Sequence, residues 1–79
     1  MSKNILLNTV DKVKNFVNIT TKFPFDICLK SGRYTIDAKS IMGIFSLNLA
    51  KPIKLVVDEC VDAEQSDSYF KAVAEFIQE

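Results

Sequence analysis

A chain of 79 residues with 48% hydrophobic side chains, two glycines and two prolines has the composition of one small globular domain over residues 1–79, not of a disordered chain, and its apolar runs are too short to span a bilayer. A formal net charge of zero hides a polarity: residues 1–57 carry nine basic against three acidic side chains, and residues 58–79 carry seven acidic against Lys71. With no lysine or arginine cluster interleaved with aromatics, nucleic-acid binding has no footprint here.

Along the chain, Asn4-Ile5-Leu6-Leu7-Asn8 is a short apolar run bounded by polar residues, which suits a buried strand. Asn8 or Thr9 then caps a helix whose first turn holds Asp11, and Val10, Val13, Phe16, Val17, Thr20 and Phe23 recur at spacings of three or four, one apolar stripe ending before Pro24. Phe25, Ile27 and Leu29 alternate with Asp26, Cys28 and Lys30. Beyond Ser31-Gly32 the alternation resumes with Tyr34 and Ile36, which predicts a β-hairpin. Residues 40–47 read as a short helix capped by Ser40, with Ile41, Ile44 and Phe45 at helical spacing and Gly43 weakening it. Pro52 starts a strand with Ile53, Leu55 and Val57 on one face. A last helix begins at Asp62, with Gln65 at the capping-box position and a stripe of Tyr69, Phe70, Val73, Ala74 and Ile77. The order β-α-β-β-α-β-α predicts an α+β fold, an antiparallel sheet covered by helices on one face and open to solvent on the other.

The chain contains no histidine. Cys28 and Cys60 lack a CxxC spacing and any histidine to assist them, so neither a metal site nor another cofactor is expected, and both read as small buried hydrophobes. Met1-Ser2-Lys3-Asn4 leads into its apolar stretch without a cleavage-type ending, which points to the cytoplasm. Asn18-Ile19-Thr20 matches a glycosylation sequon, discounted because it falls inside a helix of a cytoplasmic chain.

Lys39-Ser40-Ile41-Met42-Gly43-Ile44-Phe45-Ser46-Leu47-Asn48-Leu49, between a hairpin and a strand, resembles the segment around the regulatory serine of the histidine-containing phosphocarrier protein (HPr) family of the sugar phosphotransferase system. The resemblance runs without a gap from about Asn15 to Lys51 and more loosely to the C-terminus. It implies an open-faced sandwich of four strands and three helices, the element order already read from the residues.

The N-terminal part departs from the family. Members present a phosphorylatable histidine on a loop at the start of the first helix, followed two residues later by an arginine and then a proline. Here Leu7-Asn8 leads directly to Thr9-Val10-Asp11-Lys12, so the loop is shorter, Thr9 stands at the histidine position and Asp11 at the arginine position. An imidazole nitrogen forms a phosphoramidate that passes its phosphoryl group on readily, whereas a threonine ester would hold it. A carboxylate in the first turn would also repel an incoming phosphate.

By resemblance, Ser40 is the serine phosphorylated in low-GC Gram-positive relatives by an ATP-dependent kinase, after which the protein binds a transcriptional regulator of carbon catabolite repression. Lys39 would lie beside that phosphate, and Ile41, Met42, Phe45 and Leu47 fall where relatives contact partners, the alternative being that Met42, Phe45 and Leu47 are core. The expected function is a monomeric, non-enzymatic regulatory or adaptor protein docking on a kinase or regulator, in line with relatives that lack the histidine yet keep the serine and the loop. Two alternatives stay open: phosphotransfer with Thr9 or Asp11 as acceptor, and a structural role in which the open sheet face or an edge strand pairs with a second copy.

Overall fold

The computed structural model describes residues 2–78. Four strands form one antiparallel sheet in the order β1-β4-β2-β3: β1 Ser2–Ile5, β2 Ile27–Ser31, β3 Tyr34–Asp37 and β4 Ile53–Val57. Helices α1 Val10–Thr20, α2 Ile41–Phe45 and α3 Ala63–Ala72 intervene in the expected β-α-β-β-α-β-α order. The alternation that suggested strands is the alternation that buries them. Ile27, Leu29, Ile53, Leu55 and Val57 all lie in the core with Ile5, while Cys28, Lys30, Lys54 and Val56 take the opposite face.

Each connection has a local cause. The β2–β3 loop has two residues, with Ser31 paired to Tyr34, and Gly32 takes φ +58 while Arg33 does not turn positive, the pattern of a type II′ turn that matches the twist of its strands. Thr9 is the N-cap of α1, its Oγ1 accepting from the Lys12 N–H at 3.1 Å. Val13, Phe16 and Thr20 carry the α1 stripe into the core, but Val10 stays 55% exposed, because the first turn projects beyond the sheet's cover.

Two expectations shift at the chain ends. The first strand is Ser2–Ile5, not residues 4–8; beyond Ile5 the chain leaves the β4 ladder, and Leu7 drops into the core from the connection. The last helix ends at Ala72, and a 3₁₀ turn at Ala74–Phe76 breaks the expected stripe. That turn leaves Ala74 exposed and swings Phe76 inward, 3% exposed and edge-on to Phe16 at 5.7 Å. It also lays the C-terminal backbone along β1: Ile77 bridges Ile5, the Leu6 N–H donates to the Phe76 carbonyl at 2.9 Å, and the Gln78 N–H to the Asn4 carbonyl at 2.8 Å. One sheet edge is thereby closed, and the other, β3, is only four residues long.

Tyr69 is the hub of the core. Its ring meets Phe23, Phe25 and Phe70 at centroid distances of 5.0, 6.1 and 5.9 Å, and its hydroxyl is 2.9 Å from the buried Thr20 Oγ1. The Thr20 hydroxyl of the sequon is therefore a core group. Burial pushes the Tyr69 phenol up to about 12, against a smaller opposing effect of the Thr20 bond. Because the folded state resists ionisation, stability should hold below pH 10 and fall as pH rises from about 10 to 12, by on the order of 2–3 kcal/mol. Urea denaturation across that range should show a decline for the native chain that is smaller in Tyr69→Phe; equal declines would remove the buried phenol as its cause.

Candidate functional site

The turn before α2 is assembled from short-range bonds. The Ser40 N–H donates to the Asp37 carbonyl at 3.0 Å and the Lys39 N–H to Asp37 Oδ1 at 2.9 Å, while Ala38, fully buried, pins the segment to the core. Ser40 is the N-cap, its Oγ accepting from the Gly43 N–H at 3.2 Å. A Cβ at Gly43 would lie 3.1 Å from that Oγ and 3.5 Å from the Ile36 side chain, so the glycine makes room both for the cap and for the seating of α2 on β3. At the other end Ser46 Oγ donates to the Gly43 carbonyl at 2.6 Å. Five helical residues are thus bonded at both ends, an arrangement that offsets the low propensity of Gly43.

Around this helix the expected contact residues divide. Ile44 is buried and Ile41 half-buried against the core. Met42 and Phe45 are turned outward, 77% and 40% exposed, and Ser40 beside them is exposed as well. Leu47 is not part of this face: only 9% exposed, it packs in the core, because the chain turns inward after the Ser46 cap. The Lys39 Nζ donates to the Phe23 carbonyl at 2.8 Å and ties the end of the α1 region to the α2 turn.

The Thr9 and Asp11 positions hold a helix start. Thr9 Oγ1 is engaged with Lys12, Asp11 is exposed in the first turn, and four residues, Leu6 to Thr9, join β1 to α1 with Leu7 fully buried. So short a link, anchored at its middle, leaves no slack for a projecting loop.

The cysteines differ from the sequence expectation: Cys28 is half-buried and Cys60 exposed, one on the open sheet face and the other in the turn after β4. They border a trough of about 770 Å³ over that face, with Lys30 and Lys54 toward one end and Asp58 at the other. A hydrogen bond to the Asp58 carboxylate, reinforced by its charge, raises the Cys60 thiol, and bonds from Cys60 hold Asp58 below the usual carboxylate range. A raised thiol is a poor nucleophile at neutral pH. Among the described residues no group of three or more cysteine, aspartate or glutamate side chains could hold a metal ion, and no helix is long and apolar enough to cross a membrane.

An open four-stranded sheet with three helices on one face, and a serine-capped short helix presenting Met and Phe, define a phosphocarrier-type sandwich. The family model for the PTS HPr component phosphorylation site matches residues 12–79, and the chain belongs to this family. The match begins one residue after Asp11. No curated protein matches the sequence significantly. Among solved structures, HPr-C-His from Thermoanaerobacter tengcongensis is 28% identical with a TM-score of 0.71, over 95% of this chain and 85% of its own. The phosphocarrier protein HPr of Bacillus anthracis is 24% identical with a TM-score of 0.63, over 99% and 96%. Crh, the Bacillus subtilis catabolite repression containing protein, a swapped dimer, is also 24% identical with a TM-score of 0.63, over 98% and 88%. The last two likenesses speak for the fold alone.

Removing the cap should be measurable. Ser40→Ala is expected to lower stability by about 1 kcal/mol while leaving the fold intact, as a shifted urea midpoint with unchanged slope; an unchanged midpoint would mean that water serves the Gly43 N–H equally well.

Proposed function

We propose that this HPr-family chain is a cytoplasmic regulatory or adaptor protein that does not relay phosphate from phosphoenolpyruvate, and that it docks on protein partners through α2 under the control of phosphorylation at Ser40. The observation that carries the reading is a contrast between two ends of neighbouring helices. At the start of α1 the chain offers a threonine cap and an aspartate but no histidine. At α2 an exposed serine lies beside an exposed methionine and a phenylalanine.

The chemistry of Ser40 suits modification. Its oxygen accepts one hydrogen bond from Gly43 at the surface, so a kinase need not unfold anything to reach it. A phosphate there adds about −1.5 to −2 charges at neutral pH, and its oxygens can keep the Gly43 N–H satisfied. The Lys39 ammonium gives one of its three N–H bonds to the Phe23 carbonyl, and cations of a partner would meet the rest of that charge. Met42 and Phe45 supply the apolar part of such a contact, since methionine adapts its shape and an aromatic ring contributes large contact area. Ile41 underlies them, and Leu47 holds the helix down from the core. A serine kinase and a phosphoserine-reading transcriptional regulator of the kind used by HPr relatives are the partners this arrangement fits.

Incubation with ATP and the serine kinase of a histidine-bearing relative should add the mass of one phosphate to the native chain and none to Ser40→Ala. No gain in the native chain would remove the phosphoserine switch and leave phosphate-independent docking, while a gain in both would place the modification elsewhere.

A further inference from the structure

A groove at the hairpin end of the sheet gathers positive charge with no carboxylate among its lining residues. Arg33, in the β2–β3 turn, and Lys51, just before β4, line an open groove of about 400 Å³ together with Ser31, Tyr34, Ser46 and Asn48. No carboxylate lines it, and residues 38–57 contain none. Neither cationic side chain has an ion-pair or hydrogen-bond partner among the described residues. Close by in both strands, Lys30 stands directly opposite Lys54 across the β2–β4 ladder, again without an ion pair among those residues. Like charges opposed in register cost stability. The chain therefore sets Arg33 and Lys51 together in one groove, with the opposed Lys30–Lys54 pair in the adjoining strands.

We infer that the Arg33–Lys51 groove binds the phosphate group of a small phosphate monoester. The guanidinium presents a planar fork suited to two phosphate oxygens, and the ammonium adds a compact point charge. Together they match a dianion of about −1.5 to −2 charges. The Ser31 and Tyr34 hydroxyls can donate to the remaining oxygens; Ser46 cannot, because its proton is directed to the Gly43 carbonyl. The volume is at the small end of ligand sites, roughly 300–1,000 Å³, enough for a phosphate and a few attached carbons. Ser40 does not line the groove, so this site is independent of the proposed serine switch.

The test is a titration of the ¹⁵N-labelled chain with glycerol phosphate, ionic strength being held constant with chloride, in the native chain, Arg33→Gln, Lys51→Gln, and Lys14→Gln as a control on an exposed face of α1. Saturable amide shifts centred on residues 31–34 and 46–51 are expected, with affinity weakened about tenfold by either groove substitution and unchanged in Lys14→Gln and in Ser40→Ala. Non-saturating shifts, or equal affinity across all the variants, would overturn the assignment. Ser40→Ala losing the kinase reaction while retaining these shifts would show the two sites to be separate.

Discussion

Covering one face of a four-stranded sheet is the constraint on which the rest of this molecule depends. A chain this short has one core to build, and it builds it from alternate strand residues such as Leu29, Ile53 and Leu55 against Phe16, Tyr69 and Phe70 of the helices. Tyr69 reaches the centre at the cost of burying a hydroxyl, and Thr20 satisfies it from the facing helix. The position of α2 follows from the same demand. Ile44 and Leu47 hold it by the core, and the helical spacing that sends Ile44 inward leaves Met42 and Phe45 facing out.

The N-terminal connection is governed likewise. Leu7 sits fully buried two residues before the α1 cap, so the backbone cannot bulge outward there without emptying a core position. The short link and the buried Leu7 leave the start of α1 as a capped helix end. At α2 the opposite holds. The cap, the Gly43 clearance and the exposed Met42 need no long-range contact beyond the anchor, which is why that end can present a surface while the α1 end cannot.

Strand alternation, the helix caps, the presence of the hairpin and the layer order could be read from the residues because each is set by neighbours a few positions away. What escaped was set by distant parts of the chain. Phe76 was passed over for Ala74 and Ile77 because helical periodicity was extended through a segment that instead pairs with β1. Leu47 followed two exposed residues in sequence, and its place in the core is set by the distant side chains it packs with. The bond from the Lys39 ammonium to the Phe23 carbonyl, sixteen residues away, left no sign in the local sequence. The alternation had set Cys28 on the polar face with Asp26 and Lys30, whereas the exposed Cys60 gave no local sign of its place. The Arg33–Lys51 groove gave none either, since its walls come from a hairpin turn and the segment after α2.

The proposal that phosphate transfer has given way to docking stands or falls most directly on one reaction. Phosphoenolpyruvate carrying a labelled phosphoryl group, with the first enzyme of the sugar phosphotransferase system, should label a histidine-bearing relative and leave this chain unlabelled in the same tube. Label on this chain that maps to Thr9 or Asp11 would contradict the proposal and restore a carrier with a different acceptor.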